Sequence, residues 1–78
     1  MYVQYDSEAD ALYVRLREPI GDVKSRAVDD ARIVDYDAED HVVGVELLDA
    51  SHGIDLEGLP EAEAIAEAIR SFPQPLSV

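Results

Sequence analysis

The chain has 78 residues, no Cys and no Trp, with 6 basic residues against 18 acidic ones, a formal net charge of −12. Zero Cys excludes a disulfide framework, a zinc ribbon, a thiol redox site and an iron–sulfur cluster. The charge predicts repulsion from nucleic acid and from anionic membranes. No apolar run reaches the ~18 residues needed to cross a bilayer. The start, Met1 to Asp6, lacks the basic and apolar regions of a signal peptide, so a cytoplasmic location is expected.

The charge is uneven. Residues 1–14 carry −3, residues 15–32 carry +1 and residues 33–78 carry −10, so five of the six bases fall in one stretch. At this length a single domain is expected. It comprises a hairpin at 2–17, a linker with an edge strand at 18–31, a second hairpin at 32–48, a helix at about 60–71 and a tail at 73–78.

The two hairpins are copies. Residues 3–16 align without gaps on residues 34–47, an offset of 31, with six of fourteen positions identical. Such self-similarity points to one supersecondary unit used twice. Leu12, Val14 and Leu16 alternate with Tyr13, Arg15 and Arg17; Val43, Val45 and Leu47 alternate with Gly44 and Glu46. This period of two is that of half-buried strands. Pairing Asp6 with Ala11 sets Tyr5 against Leu12 and Val3 against Val14. The same register sets Tyr36 against Val43 and Val34 against Val45. Both loops, residues 7–10 and 38–41, then have four residues and are Asp-rich, as turns built on Asp side chains are.

Between the hairpins, Glu18-Pro19-Ile20-Gly21-Asp22 is a turn signal. Residues 23–28 read as a short edge strand, with Lys24 and Arg26 discouraging edge-to-edge pairing. After Leu48 the period changes. Residues 49–53 read as a turn or one helical turn. Pro60 suits a first helical position, Glu61 and Glu63 suit the helix dipole, and Ala62, Ile65, Ala66, Ile69 and Phe72 form a helical stripe. Pro73 and Pro75 end it. The predicted fold is α+β: a four- or five-stranded antiparallel sheet of two repeated hairpins, with the C-terminal helix on one face. The opposite face would bear Tyr2, Gln4, Tyr13, Arg15, Ile33, Val42 and Leu48, with no second helix to cover it.

The run Tyr5-Asp6-Ser7-Glu8-Ala9-Asp10-Ala11-Leu12-Tyr13-Val14-Arg15-Leu16 resembles the pattern YD-x-x-AD-x-LY-[IV]-x-L of the bacterial small-protein family catalogued as domain of unknown function 2283. Asp35-Tyr36-Asp37, followed by Val42 through Ser51, is similar to its second pattern, DYD-x-x-G-x-[IV]VG-[IV]E-[IL]LDAS. The resemblance covers residues 2–51. One departure is Asp40, where that pattern has Gly; Asp tolerates the left-handed turn conformation that Gly favours. The resemblance implies no activity, substrate or cofactor.

Asp6, Glu8 and Asp10 have the spacing that opens a calcium loop, yet Ala11 and Arg17 stand where its Gly and bidentate Glu belong. Asp37, Glu39 and Asp40 repeat the acidic loop without the full pattern. Turn-forming carboxylates are the expected reading, with no metal and no cofactor. His52 beside Ser51 lacks the convergence from separate elements that a triad needs, and no phosphate or dinucleotide fingerprint occurs. No enzyme is expected. A non-enzymatic interaction or homo-oligomerisation module is the first reading, with Tyr2, Tyr13, Arg15, Ile33, Val42 and Leu48 at the interface of a homodimer or against a protein partner. The alternatives are a divalent-cation domain using the two acidic loops, and an antitoxin-like or nucleic-acid-mimicking acidic protein. Neither nucleic acid nor membrane is an expected partner.

Overall fold

A computed structural model describes residues 1–72. Five strands form one antiparallel sheet: β1 (Tyr2–Asp6), β2 (Ala11–Arg15), β3 (Lys24–Asp29), β4 (Arg32–Tyr36) and β5 (Val42–Leu47). Their spatial order is β1-β2-β5-β4-β3. A 3₁₀ turn, Ala50–His52, and one helix, α1 (Ala62–Arg70), follow. The predicted tail at 73–78 lies outside the described residues.

The two copies meet at the centre of the sheet. Val3 pairs with Val14 and Val34 pairs with Val45, so the hairpins share a register. Their inner strands also pair with each other, Val14 directly opposite Val45. These two valines are equivalent positions of the repeat, which places a pseudo-two-fold axis through their pair. The third hairpin, β3–β4, adds a strand to the outer side of β4 only. The equivalent side of β1 has no counterpart among the described residues.

One face of the sheet holds the core. Leu12, Val14, Val34, Val45 and Leu47 pack with Ala50, Ile54, Leu59, Ile65, Ala68 and Ile69, all buried. A nine-residue helix is marginal alone in water, so its position depends on this docking. Two arginines hold its approach. Arg17 makes a bidentate pair with Glu61, at 2.9 and 2.8 Å, and donates to the Val42 carbonyl. Arg32 donates to the carbonyls of Asp55 and Glu57 at 3.1 and 2.6 Å, pinning the link into α1.

Four expectations are corrected. The second loop has five residues, 37–41, instead of four, and Tyr36 pairs with Val42 instead of Val43 across a bulge. Asp37 sets this geometry: its carboxylate accepts from the backbone N–H of Glu39 (2.9 Å) and His41 (3.0 Å). The left-handed residue is then Asp40 (φ 62°), two positions before β5, whereas in the first loop it is Asp10 (φ 51°), directly before β2. A bulge absorbs such an extra residue and realigns the strands beyond it. Consequently Val42 packs against the core and leaves the opposite face, while Val43 is buried outside that cluster. Leu48 lies just past the end of β5, its N–H donating to the Ala31 carbonyl at 2.8 Å. Finally, α1 starts at Ala62 and not at Pro60; Glu61 stands before it in a left-handed conformation (φ 54°), held by Arg17. Ala68, outside the predicted stripe, is buried with Ile65 and Ile69.

Candidate functional site

The face opposite the helix is built from alternate residues of all five strands. Register places Tyr2 beside Arg15, Gln4 beside Tyr13, Tyr13 beside Glu46 and Ile33 beside Glu46. On β3, Ser25 lies beside Asp35 and Ala27 beside Ile33. Of the expected face residues, Tyr2, Gln4, Tyr13, Arg15 and Ile33 are therefore brought together, and Val42 is not. Tyr2 is 51% exposed.

Tyr13 organises this face. Its hydroxyl crosses β5 and donates to Asp35 on β4 at 3.4 Å, and Ser25 donates to the other Asp35 oxygen at 2.6 Å. The crossing is possible because position 44 is Gly. A Cβ there would fall inside contact distance of the Val14 carbonyl oxygen and 3.0 Å from the Tyr13 hydroxyl oxygen. Tyr13 and Gly44 are equivalent positions of the repeat, so the pseudo-two-fold leaves room for one large side chain and not two. Arg15 lies 5.9 Å from the Tyr13 ring and pairs with Glu18 at 3.4 Å. Tyr13 and Glu18 hold its pKa above the usual arginine value. Two open depressions, about 250 and 440 Å³, flank Tyr13 over β1 and β2.

The acidic loops do different work. Asp6 accepts from the N–H of Glu8 (3.0 Å) and Ala9 (3.3 Å), closing its own turn. Asp10 bonds outside its own loop. It accepts from the Tyr5 hydroxyl (2.7 Å), the Ser51 N–H (2.9 Å) and the Ser51 hydroxyl (2.7 Å), and its own carbonyl accepts from the Ala50 N–H. The Ser51 hydroxyl, then the Tyr5 hydroxyl, hold the Asp10 carboxyl below the usual carboxylate range, and the Tyr5 phenol is correspondingly raised. The Ser51 proton thus goes to Asp10; His52 Nδ1 lies 3.4 Å from the same hydroxyl oxygen and 3.7 Å from Asp10.

Asp37 is fully buried, the one buried charged side chain among the described residues. Burial pushes its pKa up, but the N–H groups of His41, Ile20 and Glu39 outweigh this and hold it at about 2. His41 Nδ1 lies 3.3 Å from its second oxygen. Through Ile20 the same carboxylate ties the 18–22 turn to the second hairpin. Glu39 and Asp40 point to solvent, with Lys24 3.9 Å from Asp40.

For a metal, the described residues gather Asp10 with Asp49 and His52, ligand atoms within 4.8 Å of one another, and not the loop triplets. Asp10 already takes three hydrogen bonds there. Sequence spacing missed the Asp10–Ser51 link because the partners are 41 residues apart. The available signal was that both belong to the two recognisable patterns.

The site and fold define a small sheet-and-helix domain whose distinctive residues are spent on its own turns and strand crossings, leaving an uncovered sheet. The chain belongs to the family described as "Protein of unknown function (DUF2283)", which matches residues 3–51. Comparison with curated proteins and with solved structures gave no match. Within the matched region Tyr5, Asp10, Gly44 and Ser51 are accounted for by the contacts above, all of them internal to the fold. No helix among the described residues is long and apolar enough to cross a membrane.

Proposed function

We propose that this chain is a non-enzymatic protein-interaction module that self-associates through its five-stranded sheet, which its helix covers on one face only. The observation that carries the reading is the sheet's one-sided cover. A single nine-residue helix packs on one face, while the other presents Tyr2, Tyr13, Arg15 and Ile33. Tyrosine and arginine with apolar neighbours are the composition of protein contacts. The direction of the Ser51 proton, toward Asp10 and away from His52, supports a structural role for the one serine–histidine neighbour pair over a nucleophilic one.

Sedimentation velocity and light-scattering mass across a micromolar concentration series test this. A dimer mass is expected; a monomer persisting at high micromolar concentration overturns self-association.

A further inference from the structure

We infer that the seam of this self-association is the outer edge of β1, which no other strand among the described residues pairs with, joined antiparallel to β1 of a second copy. The inference rests on the self-association reading and goes on to assign its surface and register.

The internal pseudo-symmetry marks this edge. β4 and β1 are equivalent strands of the repeat, and β4 carries β3 on its outer side. β1 pairs only with β2 among the described residues, so its outer backbone groups are a template for one more strand. An added strand would complete at β1 what β3 completes at β4.

The two edges differ in whether they accept a copy of themselves. On β3, Lys24 and Arg26 lie on the same face as Tyr36 and Val34. Two-fold pairings centred on Lys24, Ser25 or Arg26 set Lys24 against itself, against Arg26, or Arg26 against itself. Beyond Ala27 a register shift interrupts the strand. Like charges directly opposite are destabilising, so self-pairing through Lys24–Arg26 is disfavoured on β3. β1 carries no charged side chain before Asp6. A two-fold centred on Val3 sets Val3 against Val3, and Tyr2 against Gln4 of the second copy. On the uncovered face, Tyr2 donates to Gln4 at 2.7 Å within one chain, and the two-fold would offer each of them the same partner from the second copy.

An apolar groove lies along the same edge. It has a volume of about 400 Å³ and is lined by Met1, Val3, Ala68, Ser71 and Phe72, between β1 and the end of α1. Met1 is 71% exposed. With Val3 on the axis, the grooves of two copies adjoin and bury each other's apolar lining. A chain of net charge −12 gains nothing from bringing acidic surfaces together. The uncharged edge lets two copies meet without doing so, and the contact adds main-chain hydrogen bonds to apolar burial.

Charge pairs across the seam test the register. Tyr2→Lys with Gln4→Lys places like charges opposite each other on exposed positions and is expected to give a folded monomer, checked by circular dichroism. Tyr2→Lys with Gln4→Glu places opposite charges there and is expected to keep the dimer. Ile33→Glu, on the uncovered face away from β1, is expected to leave the dimer intact. A wild-type dimer that survives Tyr2→Lys/Gln4→Lys but is broken by Ile33→Glu overturns the β1 seam while sparing self-association. A wild-type monomer overturns both, including one that dimerises only once residues 73–78 are removed, which would assign the groove to that segment.

Discussion

Gly44→Ala sets two general effects against each other, and the structure decides the sign. Glycine in a strand interior is a weak choice, and replacing it where the backbone is ordinary stabilises a protein by ~0.4–1 kcal/mol through the unfolded chain. Gly44 is absent from the positive-φ residues, so the conformation itself allows Ala. The space does not. The new Cβ would overlap the Val14 carbonyl oxygen and sit 3.2 Å from the Arg15 Cα, both main-chain atoms that cannot rotate away. Relief requires β2 and β5 to part at the Arg15–Gly44 pair, next to the central Val14–Val45 pair. Overpacking of this kind costs ~1–3 kcal/mol, and a weakened ladder hydrogen bond adds ~0.5–1.5 kcal/mol. The net expectation is a loss of ~1–3 kcal/mol. Urea unfolding should show it as a lower midpoint at unchanged slope, with the melting temperature down by roughly 5–20 °C at 4–8 °C per kcal/mol. Tyr13→Ala in the same chain should not restore stability, since the obstructing atoms belong to the backbone. A Gly44→Ala protein as stable as wild type, or more so, would refute the account of why β5 has glycine here.

Val45→Ala deletes two fully buried methyl groups at ~0.8 kcal/mol each plus a cavity, so ~2–3 kcal/mol should be lost in the same assay, and Val14→Ala should match it. Stability should fall on the acid side: Asp37 sits at about 2 in the folded chain against 3.8 ordinarily, so its contribution is present above pH ~4 and is lost as pH drops toward 2. Asp37→Asn should be less stable at neutral pH and show a shallower acid limb in a pH series of melting temperatures; an unchanged limb would remove Asp37 from the account. Sodium chloride between 0.01 and 0.1 M should stabilise the chain by on the order of 1 kcal/mol, as screening shortens the Debye length from ~30 to ~10 Å. Calcium at matched ionic strength should add nothing, because Asp10 is engaged by Tyr5 and Ser51; a calcium-specific rise in melting temperature, abolished by Asp49→Asn with His52→Ala, would make that corner a metal site.

Period-two alternation was enough to place both hairpins and the exact partners Val3–Val14 and Val34–Val45, because a one-residue slip would turn every apolar side chain outward. It failed at Val42 and Val43, where a carboxylate and not periodicity sets the chain's path: Asp37 gathers amides of its own loop and of the 18–22 turn, and the loop holds one residue more. Helical spacing identified Ile65 and Ile69 but not the start of α1, which depends on Arg17 clasping Glu61 from 44 residues away. On the uncovered face, alternation brought Tyr2, Tyr13 and Arg15 together correctly. That Tyr13 lies across Gly44 could not be read from spacing, since the two meet only after β2 and β5 are paired.

The pairing of equivalent valines at the sheet's centre has a kinetic consequence. Three of the four strand pairings close across short loops of four, two and five residues. Only β2–β5 joins segments 31 residues apart, and its loop-closure entropy must be met before any contact on it is gained. The barrier to folding is therefore expected in the docking of the two halves, with Val14 and Val45 inside the nucleus. Truncating either should slow refolding, whereas substitutions on β3 should mainly quicken unfolding. A duplicated hairpin thus confines the slow event to a single seam, the one its own repeat supplies.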